Sequence, residues 1–249
     1  MSGTGDGAPL WLTARPYAHR GLHDGNHAVL ENSRAAAKLA IDHDFGIECD
    51  LQLSRDGVPV VFHDHHLGRL TGRDMGVDAL AAAELSSLNL SGTDETIPTL
   101  TELLDLVAGR VPLLVELKSR ADVDPEVLAA SVAARLSTYD GPLALMSFDT
   151  EAVAACRRHI ACRPVGLTAE GVRAESLATH DAVARTGLDF ISYDHRHLPN
   201  RLTEDLRKQG IPVLCWTIRS EVEARTALTH CDQITFEGFL PGRDLFPDK

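Results

Sequence analysis

Short apolar runs of strand length alternate with Ala- and Leu-rich stretches of helical length along almost the whole chain. A parallel strand needs a crossover, usually a helix, before the next, so this alternation predicts a parallel sheet built from βα units. Strand-like runs fall at 17–21, 46–53, 113–118, 143–148, 165–169, 190–193, 213–218 and 233–236. Helical patterns occupy 32–44, 98–108, 125–137, 150–159, 175–187, 201–209 and 220–229, with Asn32, Thr99, Asp124 and Thr150 as expected caps. Eight strands with crossover helices predict a closed (β/α)8 TIM barrel, with an open doubly wound sheet as the alternative. A length of 249 residues suits one such barrel, read as a single domain over 1–249.

One apolar run is surplus to the count. Residues 58–62 follow the second strand after only Ser54-Arg55-Asp56-Gly57, far too short for a parallel crossover, which predicts an antiparallel return. With Asp56-Gly57 as a two-residue turn, Arg55 pairs with Val58 and His63 falls opposite Asp50. A four-residue loop places His63 opposite Glu48 instead. Either register puts His63 on the face that carries Glu48 and Asp50; an odd-length loop would not. Over 65–97 Gly, Asp and Thr then break the alternation, which predicts a small capping insertion on the rim, after the hairpin that extends strand 2, with one helical piece near 78–88.

Glu48 and Asp50 have two readings. They are the wet face of a hairpin, or, because the second strand of a parallel barrel is buried, they are a pair that needs a cation. Glu116 and Lys118 end the next barrel strand and point the same way, toward the C-terminal face where barrels build their sites. Taken alone they read as a rim ion pair. Two acidic strand ends aimed at one mouth favour one divalent cation, and oxygen ligands suit Mg2+ or Ca2+ better than zinc. His19 and Arg20 end the first strand and emerge beside Glu48. His63-Asp64-His65-His66 is not expected to hold zinc, because His65 and His66 point to opposite sides of an extended chain.

Charge narrows the classes of partner. The chain carries 24 Lys+Arg against 36 Asp+Glu, a net charge of -12, which disfavours nucleic acid and anionic membranes over most of the surface. A phosphate-bearing ligand must then be met locally, by Arg20, Lys118 and the bound ion. Five scattered cysteines without a CxxC spacing predict neither a disulfide framework nor a zinc site and fit a reducing cytoplasm. No run approaches the ~18 apolar residues of a membrane span, and no secretory leader is visible, so a soluble protein without stable membrane insertion is expected.

The chain resembles the glycerophosphodiester phosphodiesterase family. The resemblance lies in AHRG (18–21), ENS (31–33), IECDLQLSRDGVPVVFHD (47–64), LGRLTGRDMG (67–76), IPTLTELL (97–104), LLVELK (113–118), MSF (146–148) and VLCWTIR (213–219), in the family's order. It implies a TIM barrel that cleaves glycerophosphodiesters to glycerol 3-phosphate and an alcohol such as choline or ethanolamine. It also implies Glu48, Asp50 and Glu116 as metal ligands, His19 and His63 as the acid–base pair, and Arg20 and Lys118 as phosphate contacts. Trp216 is read either as a substrate-stacking residue or as barrel core, and Phe148 and Ser147 as pocket wall or ordinary packing. Departures from the family pattern are Arg219 where Asn is usual and Glu237 near the place of an Asp. They are expected to pair with each other, or Arg219 to meet an anionic substrate group. Alternative functions are a lysophospholipase D-like activity on lysolipids and a non-catalytic barrel that binds a phosphorylated ligand.

Overall fold

The computed structural model describes residues 8–120 and 123–246. The first half contains α1 (Trp11–Ala14), β1 (Tyr17–Ala18), α2 (Arg34–Asp42), β2 (Gly46–Leu53), β3 (Pro59–Val61), α3 (Gly68–Thr71), α4 (Ala82–Leu85), α5 (Leu100–Val107) and β4 (Leu113–Leu117). Regular alternation follows: α6 (Pro125–Leu136), β5 (Leu143–Ser147), α7 (Thr150–His159), β6 (Val165–Ala169), α8 (Ala174–Ala184), β7 (Phe190–Asp194), α9 (Arg201–Lys208), β8 (Val213–Ile218), α10 (Glu221–Ala227) and β9 (Gln233–Phe236). All strands but β3 pair in parallel, and β1 pairs with both β2 and β9, so the sheet closes into the eight-stranded TIM barrel expected.

Strand parity separates two cores. Cys49, Leu51, Val115, Leu117 and Leu145 face outward into the large cluster packed under the helices. Tyr17, Leu114, Ala144, Phe190 and Leu214 fill the barrel interior. Gly166 leaves room for the Phe190 ring, which a Cβ there would approach to 2.5 Å. The barrel is closed from below by α1, which the sequence did not suggest: Leu12 and Trp11 join the interior cluster, Tyr17 OH donates to Leu12 O (3.0 Å), and Gln233 Nε2 donates to Thr13 O (2.9 Å).

β1 is shorter than the expected 17–21. It ends at Ala18 because Arg20 takes a left-handed conformation (φ 55) and turns the chain out. β2 then loses its β1 partner after Ile47, and β3 pairs with it antiparallel from Leu51 to Leu53. The hairpin register differs from both alternatives. Leu51 faces Val61 and Leu53 faces Pro59, which leaves Arg55, Asp56 and Gly57 as a three-residue loop, with Gly57 left-handed (φ 73). Strict alternation from this register would put His63 opposite Cys49, on the wrong face.

Gln52 reverses that outcome. Its buried Nε2 donates to the carbonyls of Phe62 (2.9 Å), His63 (3.0 Å) and Asp64 (2.7 Å), and its Oε1 meets His65 Nδ1 at 2.9 Å. Three successive carbonyls reach one amide only if the backbone bends, and that bend brings His63 to the barrel mouth. Phe62 packs the opposite way, with Leu67, Leu70, Val77, Leu85, Leu90 and Ile97, into a cluster under the 65–97 segment. That segment holds α3, a 3-10 turn at Val77–Ala79 and α4 in place of the one helical piece expected.

Two caps also differ. Ser33, not Asn32, caps α2, since Asn32 is itself left-handed (φ 55); Asp149, one residue before Thr150, caps α7. Thr99 and Asp124 cap as expected. Replacing Gln52 by Leu strips three carbonyls of their shared donor. Urea unfolding should show a loss of about 1–3 kcal/mol, and unchanged stability would show that the bend does not depend on this amide.

Candidate active site

Asp50 and Glu116 stand side by side in the β2–β4 pairing, and Glu48 lies two residues earlier on the same inward face. One oxygen from each of the three lies within 4.8 Å of the others, and all three side chains are buried. The cations around them are few. Lys118 Nζ is 2.6 Å from Glu116 and 3.1 Å from Asp50; Arg20 Nε is 3.5 Å from Asp50 while its Nη1 is engaged with Glu31 at 2.8 Å. Asn32 Nδ2 donates to Asp50 (2.8 Å), and the Arg20 backbone N–H donates to Glu48 (3.0 Å).

This compensation is uneven. Burial alone would raise Asp50, but Lys118, His63, Arg20 and the Asn32 amide hold it well below the usual range. Burial, with the charges of Asp50 and Glu116 added, pushes Glu48 well up. Burial pushes Glu116 up to about 7, with Lys118 opposing and Asp50 adding to the rise. Two of the three carboxylates therefore lack a full counter-charge, and the convergent donors are all oxygen. Such a set fits a hard divalent cation such as Mg2+ or Ca2+.

The two histidines flank the carboxylates and are braced alike. His19 Nδ1 donates to Glu237 (2.5 Å), which Arg219 Nη2 holds from its other oxygen at 2.6 Å; His19 Nε2 lies 3.9 Å from Glu48. His63 Nδ1 donates to Asp64 (2.8 Å), which Arg69 grips at 2.7 and 3.0 Å. Each imidazole has its Nδ1 proton held by a carboxylate, which leaves Nε2 as the nitrogen outside that contact. His19 hydrogen bonding, with Arg219 adding, keeps Glu237 far below the usual range, and the Arg69 hydrogen bonds hold Asp64 at about 2. Burial lowers both histidines.

A cavity of about 240 Å3 opens over the carboxylates, lined also by Met146, which pairs with Glu116, and by Phe148, Thr168, Trp216 and Thr235. Trp216 Nε1 donates to Ser192 O (3.1 Å), and its ring meets Phe148 edge-on at 5.3 Å. Phe148 is 44% exposed, so it is mouth wall and not core. A groove of about 810 Å3 shares His63, Glu116, Lys118 and Phe148 with this cavity. Arg219 also lines the cavity, but its pairing with Glu237 answers the ion-pair expectation. Ser147 donates to Leu117 O (2.7 Å), and His197 Nδ1 accepts from Gly171 N–H (2.9 Å) away from the cavity. His23 Nε2 stands 3.8 Å from Glu237.

Several contributors were not foreseen. Asn32 was read as a cap, and its amide serves Asp50 instead. Asp64 follows His63 directly in sequence, so its brace was in view, but Arg69 comes from α3 and carried no local signal. Thr168 and Thr235 carried none either.

Fold and site together define a TIM barrel with a buried acidic cluster at its C-terminal mouth. The sequence matches the glycerophosphoryl diester phosphodiesterase family over residues 19–235, and the chain belongs to that family. It is 26% identical over 210 residues to a glycerophosphodiester phosphodiesterase of Caldanaerobacter subterraneus, covering 81% of this chain and 84% of that one. It is 31% identical over 116 residues to glycerophosphodiester phosphodiesterase 1 of Rattus norvegicus, and there the match spans 43% of this chain and only 34% of the relative's length. Among solved structures, a phosphodiesterase of Oleispira antarctica in complex with its product sn-glycerol-3-phosphate superposes with a TM-score of 0.79 at 25% identity, covering 92% of this chain and 93% of that one.

The acidic cluster makes stability depend on pH. Folded Glu116 keeps its proton up to about 7, whereas an ordinary Glu releases it near 4.5, so the folded state binds more protons between these values. Its contribution is full below about 4.5 and is lost as pH rises through about 7, with Glu48 acting in the same direction. The lowered His19 and His63 act in the opposite direction below about 6.5, so the carboxylate contribution is read as a difference between variants. In EDTA the melting temperature of wild type should fall relative to that of Glu116→Gln across the window, and added Mg2+ or Ca2+ should reduce the relative fall; a constant difference in EDTA would contradict the uneven compensation of the cluster.

Proposed function

We propose that the chain hydrolyses glycerophosphodiesters to glycerol 3-phosphate and an alcohol, with Glu48, Asp50 and Glu116 holding one divalent cation, Mg2+ or Ca2+. The observation that carries this reading is the convergence of three buried, under-compensated carboxylates between two histidines that are each braced at Nδ1. The Oleispira relative's bound product supports the assignment of substrate class.

A bound ion would draw charge from a phosphoryl oxygen and orient the diester. Arg20 and Lys118 reach the same place and add charge-assisted contacts to the phosphate. His19 lies deeper, beside Glu48, and its Nε2 takes the proton from the attacking hydroxyl, which is either water or the substrate's own 2-hydroxyl; in the second case the departing alcohol leaves a cyclic phosphate, which water then opens to glycerol 3-phosphate. His63 lines both the cavity and the outer groove, so it stands where the departing alcohol leaves and delivers the proton to it. Burial lowers His63 in the absence of ligand, and the negative charge of an arriving diester favours its protonated form.

The 65–97 segment then acts as a rim piece, since it supplies the Arg69 that braces Asp64. The outer groove carries charged groups such as Glu126, Asp149, Glu151 and Arg158, which suit a hydrophilic alcohol. No helix among the described residues is long and apolar enough to cross a membrane, and five free cysteines suit the cytoplasm that we propose as its location.

Release of glycerol 3-phosphate from glycerophosphocholine should cease in EDTA and return with Mg2+ or Ca2+; activity untouched by EDTA would remove the metal from the reading. His63→Ala should lower kcat by roughly 10²–10⁴-fold with little change in metal affinity, whereas Glu116→Ala should lose both. Glu237→Gln should lower kcat by on the order of 10²-fold, because the amide no longer holds the Nδ1 proton of His19 as an anion does, and Glu237→Asp should recover part of it. Equal kcat in Glu237→Gln and wild type would separate Glu237 from the chemistry.

A further inference from the structure

The two imidazole braces are not equally firm. Arg69 grips both oxygens of Asp64, whereas Arg219 reaches Glu237 through one nitrogen from a side chain that is 60% exposed. An ion pair to a guanidinium that lies mostly in water is weak and screened by salt, so it does little to fix where the carboxylate points. A second imidazole faces the same carboxylate from within the protein. The His23 side chain is only 9% exposed, and its Nε2 lies 3.8 Å from the Glu237 oxygen that His19 meets. That Nε2 is buried and has no hydrogen-bond partner among the described residues.

The loop that carries His23 sets its tautomer. Asp24 folds the loop by accepting from the backbone N–H groups of His27 (2.8 Å), Ala28 (2.9 Å) and Val29 (3.1 Å), and left-handed Gly25 (φ 81) donates its own N–H to His23 Nδ1 at 3.1 Å. Because Nδ1 accepts, the proton of the neutral ring sits on Nε2, the nitrogen that faces Glu237. A buried N–H without a partner is destabilising, and a shift of about 1 Å would bring this one to hydrogen-bond length. Hydrogen bonds that serve catalysis are often long in the unliganded enzyme and shorten when substrate binds. His23 lines neither the cavity nor the outer groove, so it does not meet substrate itself. We propose that His23 is a positioning residue for the reaction: its Nε2–H donates to Glu237 during turnover and keeps that carboxylate in line with His19 Nδ1 while His19 takes up a proton. This rests on the glycerophosphodiesterase reading above.

Two polar variants separate this role from a purely structural one. In His23→Asn the side-chain oxygen stands where Nδ1 stands and still accepts from Gly25, but nothing reaches Glu237. In His23→Gln the amide nitrogen stands where Nε2 stands and still donates to Glu237, but the Gly25 contact is lost. Both are assayed in the full chain on glycerophosphocholine with the divalent ion that restores activity. His23→Asn should lower kcat by roughly tenfold, with KM and the half-saturating ion concentration unchanged, and His23→Gln should retain most of the wild-type kcat. In a Glu237→Gln background His23→Asn should cost little more, because both substitutions break one chain of contacts. The reverse order, with His23→Gln impaired and His23→Asn active, assigns His23 to holding its loop and overturns the proposal. Equal kcat in the two variants, impaired or not, overturns it as well, and so does the full tenfold loss in the Glu237→Gln background. A wild type inactive on every glycerophosphodiester sinks the functional reading itself, and the role of His23 with it.

Discussion

Three carboxylates held within 4.8 Å of each other in a buried barrel mouth repel, and each gives up hydration to be there. Much of the surrounding architecture answers that cost. Lys118 reaches back from just beyond β4, Arg20 turns in from the end of β1, and Asn32 lends an amide to Asp50. Even so, Glu48 and Glu116 stay raised, so the cluster is incomplete as charge and fits a further cation. The early end of β1 belongs to the same arrangement, because the left-handed turn at Arg20 aims its backbone N–H at Glu48 and its guanidinium at Asp50 and Glu31.

Around this centre the molecule repeats one device. Arg219, Glu237 and His19 form a chain of contacts on one flank, and Arg69, Asp64 and His63 form another on the opposite flank. In each, the arginine keeps the carboxylate ionised and the carboxylate fixes the imidazole tautomer. The sources differ: Arg219 follows β8 and Glu237 follows β9 on the rigid barrel, whereas Arg69 is carried by α3 of the rim segment. The placement of His19 thus depends on the barrel itself, and that of His63 on packing of the rim segment through Phe62, Leu67 and Leu70.

Much of this was legible in the chain. Alternating apolar runs and helical stretches specify the βα repeat, because a parallel pairing leaves no shorter route between strands. Glu48, Asp50 and Glu116 were visible as charges on strands that a barrel must bury. Arg219 and Glu237 pointed to each other because they stand at the ends of neighbouring final strands. Where the sequence misled, the cause was long-range. The hairpin loop has three residues and not two or four, and local turn preferences do not separate these lengths when Asp56-Gly57 satisfies either. His63 is nonetheless at the mouth, because Gln52 gathers three carbonyls from a segment ten residues away and bends it there.

By itself the sequence determined the barrel, the strand ends that carry acid and the parity that aims Glu48, Asp50 and Glu116 inward, because these follow from periodicity and from the short range over which a strand alternates. Only the tertiary structure decided which groups complete the site: the Gln52-held bend, the Arg69 brace from α3, the plug at α1, and the unpartnered Nε2 of His23 beside Glu237. These depend on contacts between residues far apart in the chain, where no local pattern states which carbonyl an amide will meet or which buried donor will be left without a partner.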